Sequence, residues 1–409
     1  MIFNTWEFAL FGVLVLIFYW AIVPRAWRPV FLIVAGAVFY AAAIPVYTLL
    51  IVALATITYV CARATVAAGD DLRRKRVALV AGIAASVGVL LFFKYTKLFA
   101  ASFGALCSGG CAHPLPDIIV PLAVSFFTFE FVHFLVDVSN GKIRKLNVLD
   151  FATFTMFFPT MVAGPIKRYQ NFVPQIRRVD RLTGVVIAAG IARVLAGLAK
   201  KTIIADSMDP FIQPLLHPSA AYGALDYWIA TLAYTVKIYF DFSGYSDMAI
   251  GMSALLGFQI LENFDRPYRA RDISHFWRRW HISLSSWIRD YLFIPLGGSR
   301  AGALRNFANL TGVMALAGLW HGAAWHFVLW GLWHGAGLAI HRAWSQLAHV
   351  PREVSARPGY RLASTAVTFA FVALGWVLFA SPTIGAAAAV YAGLFGAGSA
   401  GAIALPPAH

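Results

Sequence analysis

Two histidines occur in the same pentapeptide, Gly-Leu-Trp-His-Gly, within one apolar stretch of the chain. The copies span residues 318–322 and 331–335 and place His321 and His334 thirteen residues apart. A neutral imidazole in a water-poor pocket can act as a general base, because desolvation keeps it unprotonated near neutral pH. The stretch therefore contains candidate groups for removing a proton from a reacting hydroxyl.

The spacing of the two histidines argues against one shared site on a straight helix. Over thirteen residues an unbroken α-helix would rotate the second side chain by about 220° and lift it by about 20 Å. Residues 306–341 would make a helix of about 54 Å, much longer than the hydrocarbon core, so we expect a broken helix or a helix pair. Gly318 and Gly322 flank the most favourable position for the break. The break would place His321 at a helix end and His334 within a helix, which favours His321 as the reactive group and a packing role for His334.

A further histidine, His281, lies in the segment 261–305, which combines arginines with tryptophans and tyrosines. From Asp272 onward the large apolar residues recur at helical spacing, and arginines take the opposite side. This mixture is typical of amphipathic helices at a membrane interface. The arginines could in addition receive an anionic substrate or cofactor, since guanidinium pairs well with phosphate. Taken alone, His281 fits a satisfied interfacial residue better than a catalyst.

Ionisable residues in apolar segments are costly and are therefore functional candidates. Glu130, His133 and Asp137 share one helical face, which suits either a proton path or a polar packing stripe. Around Gly244, two aspartates indicate either a broken helix that lines a cavity or a polar turn at the membrane surface. Residues 148–165 are apolar and lie between two basic clusters that both fit the cytoplasmic side. This last segment should be re-entrant or interfacial, with protein or water around its backbone.

The elements that position these residues follow from composition. Of 409 residues, 60% are hydrophobic and 12% are charged, and the mean hydropathy is +0.71, which excludes an ordinary soluble domain. Apolar stretches long enough to cross a bilayer recur along the chain, and we expect about nine to eleven transmembrane or re-entrant helices. We therefore predict an all-α polytopic membrane protein that forms a single domain over residues 1–409.

The net charge of +15 is divided among clusters between the apolar segments. Such clusters are typical of cytoplasmic loops that touch anionic lipid headgroups, so we expect a lipid bilayer as partner and no nucleic acid. No basic residue precedes the first apolar stretch, which predicts a retained first helix with its N-terminus outside. Cys107 and Cys111 then lie outside, as a small disulfide or as two free thiols. No metal site is expected, because no zinc-ligand spacing occurs.

Residues 239–298, "YFDFSGYSDMAIGMSALLGFQILENFDRPYRARDISHFWRRWHISLSSWIRDYLFIPLGG", followed by "GLWHGAAWHFVLWGLWHG", resemble the membrane-bound O-acyltransferase family. Within that family they are most similar to a bacterial branch that includes the alginate O-acetylation membrane protein and the teichoic acid D-alanyl transferase. "FKYTKLF", "PLAVSFFTFE" and "FFPTMVAGPIKRYQNF" extend the likeness over most of the chain. Alginate-type relatives usually continue with further membrane helices, so the chain is expected to be truncated or to belong to a shorter subgroup.

The resemblance implies a helical bundle around a funnel or tunnel, with an acyl thioester entering from the cytoplasmic side. His321 matches the family's invariant membrane histidine and would promote attack of a hydroxyl on the thioester carbonyl. His281 matches the second, motif-associated histidine and would assist or shape the tunnel, whereas His326 matches nothing in the pattern.

The resemblance also implies an acetyl donor, acetyl-CoA being preferred over an acyl carrier protein. Periplasmic acetyltransferase partners and exopolysaccharide machinery are the implied partners, in a bacterial inner membrane that the chain crosses several times. The competing hypotheses are a proton-coupled transporter or channel and a non-catalytic scaffold of a polysaccharide-export complex.

Overall fold

A computed structural model describes residues 3–106, 118–178, 182–298, 302–348 and 350–396, and these residues form helices and turns without a strand. The all-helical prediction is confirmed. The cysteine pair at 107 and 111 lies outside the described residues. The α-helices, numbered in chain order, are α1 (Trp6–Ile17), α2 (Arg28–Ala41), α3 (Pro45–Ala67), α4 (Leu72–Leu90), α5 (Thr96–Leu106), α6 (Val124–Ser139), α7 (Val148–Thr155), α8 (Tyr169–Phe172), α9 (Gly184–Ala199), α10 (Gln213–Leu216), α11 (Ala224–Leu255), α12 (Ile273–Trp277), α13 (Ile282–Ile288), α14 (Ala303–His321), α15 (Trp325–Leu347), α16 (Arg352–Ala356), α17 (Pro358–Ala380) and α18 (Ile384–Leu394).

Spatial proximity divides the chain into two compact units. Unit 1 comprises Met1–Leu198 and Tyr245–Leu261, and unit 2 comprises Ala199–Gly244 and Glu262–His409. Both histidines singled out by the family pattern therefore belong to unit 2. The expectation of one membrane domain over residues 1–409 stays a prediction.

Several helices have the length and apolarity that a bilayer requires. Within the described residues, three helical stretches are long and apolar enough to cross a membrane by length and composition: Pro45–Ala67, Leu72–Gly104 and Pro358–Ala380. Large apolar side chains on them are exposed, for example Leu49 at 74% and Val367 at 70%. Continuous exposed apolar surface is unfavourable in water but is solvated by lipid tails. The chain is therefore a membrane protein, and the predicted total of about nine to eleven segments stays a prediction.

In unit 1, the chain after α7 is irregular and buried. Helix α7 ends at Thr155, and residues 156–169 are buried or half-buried although most of them are not helical. Gly36 on α2 permits close approach, because a Cβ at this position would lie 1.8 Å from the Met156 carbonyl oxygen. The expected irregular backbone is thus surrounded by protein, as burial requires. Whether it re-enters a bilayer stays a prediction.

The polar face of α6 holds this irregular segment. The carboxylate of Glu130 accepts a hydrogen bond from Lys167 at 2.5 Å, with both side chains buried. The Nε2 atom of His133 accepts the backbone N–H of Tyr169 at 3.2 Å, and Asp137 accepts the side-chain amide of the glutamine that follows Tyr169. Fixed partners of this kind rigidify a buried polar network. They favour the packing alternative for this face over the proton path.

The predicted break at Gly244 is wrong. Helix α11 continues from Ala224 to Leu255 without interruption. A single glycine costs a helix only about 1 kcal/mol relative to alanine, and tertiary packing readily overrides that cost. Both aspartates pair with basic side chains, so neither needs backbone groups exposed by a helix break. Asp241 pairs with Lys201 at 2.8 Å within unit 2, and Asp247 pairs with Arg193 at 2.9 Å within unit 1.

Residues 306–341 belong to a pair of tightly packed helices in unit 2. Helix α14 ends at His321 and α15 begins at Trp325. A Cβ on Gly318 would lie 2.0 Å from the carbonyl oxygen of Phe327, and one on Gly331 would lie 2.1 Å from that of Met314. The two backbones meet where these glycines lie. Each pentapeptide is thus a G-x-x-x-G pattern, which allows close helix contact in membranes.

Candidate active site

His321 is the last residue of α14. The helix ends because Gly322 adopts an extended conformation, with φ of −156°, and the chain turns before α15. The His321 ring is half-buried among aromatic rings, with centroids at 4.7 Å for Trp320, 5.2 Å for Trp330 and 5.1 Å for Phe379. The imidazole therefore lies at a helix end in apolar surroundings that retain some access, as a general base requires.

His281 lies in a tight connection between two short helices. The helical periodicity that starts at Asp272 is divided between α12, which ends at Trp277, and α13, which starts at Ile282. His281 connects them in the left-handed conformation, with φ of 44° and ψ of 54°. Its side chain is 1% exposed, so the residue is part of the unit 2 interior. Non-glycine residues in this conformation are uncommon and often mark functional sites.

Asn263 holds His281 in place. The Asn263 Oδ1 atom lies 3.3 Å from the Nδ1 atom of His281, and it accepts the backbone N–H and the hydroxyl of Ser283 at 3.2 and 2.7 Å. The backbone carbonyl of Asn263 accepts the N–H of Ile282 at 2.9 Å. Asn263 is itself fully buried. Sequence reasoning missed this residue, because its eighteen-residue separation from His281 gives no local signal.

The two histidines lie close enough to affect each other. The Trp320 ring contacts both imidazoles, with centroid distances of 6.2 Å to His281 and 4.7 Å to His321. Phe242 packs edge-on against His281 at 4.6 Å. Burial, and then the charge of His321, hold the pKa of His281 well below its usual range. His281 is therefore neutral near pH 7 and can accept a hydrogen bond or a proton.

The structure places His334 in a different environment from His321. His334 is fully buried and touches Trp330 at 4.9 Å, Trp277 at 5.2 Å and Phe371 at 5.8 Å. Neither of its ring nitrogens has a hydrogen-bond partner within the described part of the chain. Trp330 contacts both pentapeptide histidines, so the helix pair brings them to one aromatic cluster in which each has its own neighbours.

Two arginines of the 261–305 segment make hydrogen bonds or ion pairs within that segment. Arg279 donates to Nε2 of His275 at 2.7 Å and to the Asp265 carbonyl at 3.1 Å. Arg289 pairs with Asp290 at 2.9 Å. Burial, and then the charge of Arg279, lower the pKa of His275. Binding of an anionic substrate by these arginines stays a hypothesis, and the amphipathic interfacial character of the segment stays a prediction.

Each unit has an apolar cavity. In unit 1 a cavity of about 470 Å³ is lined by residues of α1, α9 and α11, including Phe8, Leu195 and Met252. In unit 2 a cavity of about 160 Å³ is lined by Trp277, Met314 and others. The funnel or tunnel through the membrane that the family resemblance implies stays a prediction.

Comparison with known proteins agrees with the resemblance read from the motifs. The model of the membrane-bound O-acyltransferase family matches residues 46–358. The probable alginate O-acetylase of Azotobacter vinelandii is 36% identical over 92% of this chain and 74% of its own length. The peptidoglycan O-acetyltransferase of Helicobacter pylori is 35% identical over 79% of this chain and 65% of its own length. The teichoic acid D-alanyltransferase of Streptococcus thermophilus is 31% identical over 54% of this chain and 57% of its own length. The chain therefore belongs to the membrane-bound O-acyltransferase family and is an acyltransferase.

Proposed function

We propose that the protein is a membrane O-acetyltransferase in which His321 is the general base and His281 assists. The observation that carries the proposal is the position of His321, which ends α14 within an aromatic cage and shares the Trp320 ring with neutral His281. Relatives that match nine-tenths of the chain are alginate O-acetylases, whereas the D-alanyl transferases match about half to two-thirds of it. This difference favours an acetyl group over an aminoacyl group.

The reaction needs one proton transfer that the site can provide. His321 removes the proton of an acceptor hydroxyl as its oxygen bonds to the thioester carbonyl carbon. The carbon–sulfur bond then breaks, and the proton returns to the departing thiolate. A positioned general base of this kind contributes roughly 10² to 10⁴ to the rate. The aromatic cage limits water around the thioester, which protects it from hydrolysis.

Donor, acceptor and location complete the proposal. The donor is acetyl-CoA on the cytoplasmic side of a bacterial inner membrane that the chain crosses several times. The acceptor is an exported polysaccharide or a periplasmic acetyltransferase that finishes transfer to it, within the exopolysaccharide machinery. The relatives support this class, because their names refer to alginate, peptidoglycan and teichoic acid, which are all polymers outside the cytoplasm.

Acyl transfer by the reconstituted protein tests the proposal. Liposomes that contain the protein, radiolabelled acetyl-CoA and the periplasmic partner are compared for wild type, His321→Ala and His217→Ala. We expect His321→Ala to reduce transfer by roughly 10² to 10⁴. His217 is an exposed histidine of the same unit, and its substitution should leave transfer unchanged.

A folding readout makes the result unambiguous. Thermal unfolding in detergent should give similar midpoints for both variants, because His321 is only half-buried. If His321→Ala keeps wild-type transfer with an intact fold, the assignment of His321 as base is wrong. If wild type transfers no acetyl group to any partner or polysaccharide, the proposed donor or acceptor is wrong.

A further inference from the structure

We propose that Asn263 is a positioning residue that fixes His281 in the tautomer protonated at Nδ1, which leaves Nε2 as the basic nitrogen of the site. The inference deepens the proposed function and rests on it for its role in transfer. It assigns a distinct task to a residue outside the two histidines of the family pattern. The assignment rests on three sets of hydrogen bonds and on the backbone of His281.

The orientation of the Asn263 amide is fixed by a donor that cannot reverse its role. The backbone N–H of Ser283 points at Oδ1 at 3.2 Å, and a backbone N–H always donates. The atom at this position must therefore be the amide oxygen. The Ser283 hydroxyl, at 2.7 Å from the same atom, is consistent with that orientation.

The amide oxygen in turn determines the tautomer of His281. An oxygen that only accepts lies 3.3 Å from Nδ1, so this nitrogen must carry the proton to form the bond. In a neutral imidazole the other nitrogen, Nε2, then has a lone pair. The bond that one ring nitrogen makes thus determines the chemistry of the other.

The backbone holds the ring in this arrangement. His281 adopts the left-handed conformation, which persists only when its surroundings determine it. The Asn263 carbonyl accepts the N–H of Ile282 at 2.9 Å, and the Asp265 N–H donates to the Arg279 carbonyl at 3.0 Å. Asn263 therefore binds the two residues that follow His281, through its main chain and its side chain, and Asp265 binds the connection before the imidazole.

The groups that contact the His281 ring favour its neutral form. Phe242 from α11 and Trp320 from α14 contact the ring and carry no charge. The titratable neighbour is His321 at the end of α14, and it opposes protonation of His281. A neutral His281 with a basic Nε2 can accept a hydrogen bond from an acceptor hydroxyl and thereby orient it toward His321.

Nuclear magnetic resonance of the full-length protein labelled with ¹⁵N-histidine tests the tautomer directly. His281 signals are assigned by their loss in His281→Gln. Wild type should show a protonated Nδ1 and an unprotonated Nε2 near neutral pH. In Asn263→Leu the acceptor is lost, and the signals should shift toward the Nε2-protonated form. A wild-type His281 protonated at Nε2 would overturn the proposal.

The pH profile of acetyl transfer provides the second readout. In Asn263→Asp a carboxylate replaces the amide beside Nδ1, which favours the imidazolium. The pKa of His281 should rise by about 1 to 3 units, which moves the acidic limb of kcat/KM to higher pH, a change that a purely structural role would not produce. Asn306→Asp is the matched control, because Asn306 is also buried in unit 2 but lies fifteen residues, about 22 Å, from His321 along α14.

The outcomes separate this inference from the proposed function. The acidic limb of the Asn306→Asp profile should stay at the wild-type pH. If Asn263→Asp also leaves the limb and the His281 signals unchanged, Asn263 has no positioning role. If wild type shows the expected tautomer but no acetyl transfer, the proposed function fails while the assignment of Asn263 as tautomer-fixing residue stands.

Discussion

At the scale of single residues, the two pentapeptide histidines differ in what surrounds them. His321 ends a helix and is half-buried, whereas His334 is enclosed on a helix that continues on both sides. A buried polar group without a hydrogen bond costs about 1 to 3 kcal/mol. The second pentapeptide therefore holds its histidine at a cost to stability, and the aromatic rings around it supply packing rather than hydrogen bonds.

His334→Leu should leave acetyl transfer close to wild type and should not lower stability. Leucine has a similar volume and removes two buried nitrogens that have no partner among the described residues, so the free energy of unfolding should change by about 0 to +2 kcal/mol. Thermal unfolding in detergent and the liposome assay measure the two quantities. A loss of transfer comparable to that of His321→Ala, with the fold retained, would show that His334 takes part in the chemistry.

At the scale of elements, the glycines of both pentapeptides explain why α14 and α15 lie so close. Gly318 and Gly331 each face a backbone carbonyl of the other helix, and a Cβ at Gly335 would lie 2.6 Å from Thr311. Side chains larger than hydrogen would push the helices apart. The pair in turn places His321 at its end and Trp330 against the imidazole. Helix packing and site geometry therefore depend on the same residues.

Gly331→Ala should strongly destabilise unit 2 or prevent its folding. The new methyl group would meet the backbone of Met314 at 2.1 Å, and backbone cannot move aside as a flexible side chain can. Overpacking of this kind costs about 1 to 3 kcal/mol and occasionally more. Yield and unfolding midpoint in detergent are the measurements.

Gly312→Ala is the matched control on α14, since a Cβ there would meet nothing within 4 Å. It should keep the wild-type midpoint or raise stability by up to about 1 kcal/mol, because alanine favours helix. Equal midpoints for the two alanine variants would contradict the close packing of α14 and α15.

At the scale of the whole molecule, the chain's orientation follows from charge and helix length. Helices α3 and α4 both have membrane-crossing length and are joined by a short turn at Gly69, with φ of +55°. Asp71 caps α4 by accepting the N–H groups of Arg73 and Arg74 at 3.0 Å. The basic residues that follow this turn predict that it faces the cytoplasm.

Cysteine labelling in cells measures this orientation. In a variant lacking the three native cysteines, Asp70→Cys should react with a membrane-impermeant maleimide only after the membrane is permeabilised. Ala43→Cys, at the opposite end of α3, should react in intact spheroplasts. Both positions are exposed, so access rather than burial decides the result. The reverse pattern would invert the predicted topology.

Composition and helix geometry determined the helical membrane class and the helix ending at His321, and the resemblance of the motifs determined the family. These properties depend on residue types that act over a few turns of helix or over a contiguous motif. The same local rules wrongly predicted a break at Gly244, because a helix can tolerate one glycine when its neighbours find partners elsewhere.

Only the tertiary structure decided which distant residues complete the site. Asn263 reaches His281 across eighteen positions, and His326, which matched no family motif, donates to the Leu378 carbonyl across fifty-two. The burial of His334 likewise depends on rings from two other stretches of chain, at Trp277 and Phe371. The fixed partners of the α6 polar face come from a later segment of the chain. Hydrogen bonds and packing depend on distance in space. Helix geometry could favour His321 and the family resemblance could point to His281, but neither could name the residues that hold them.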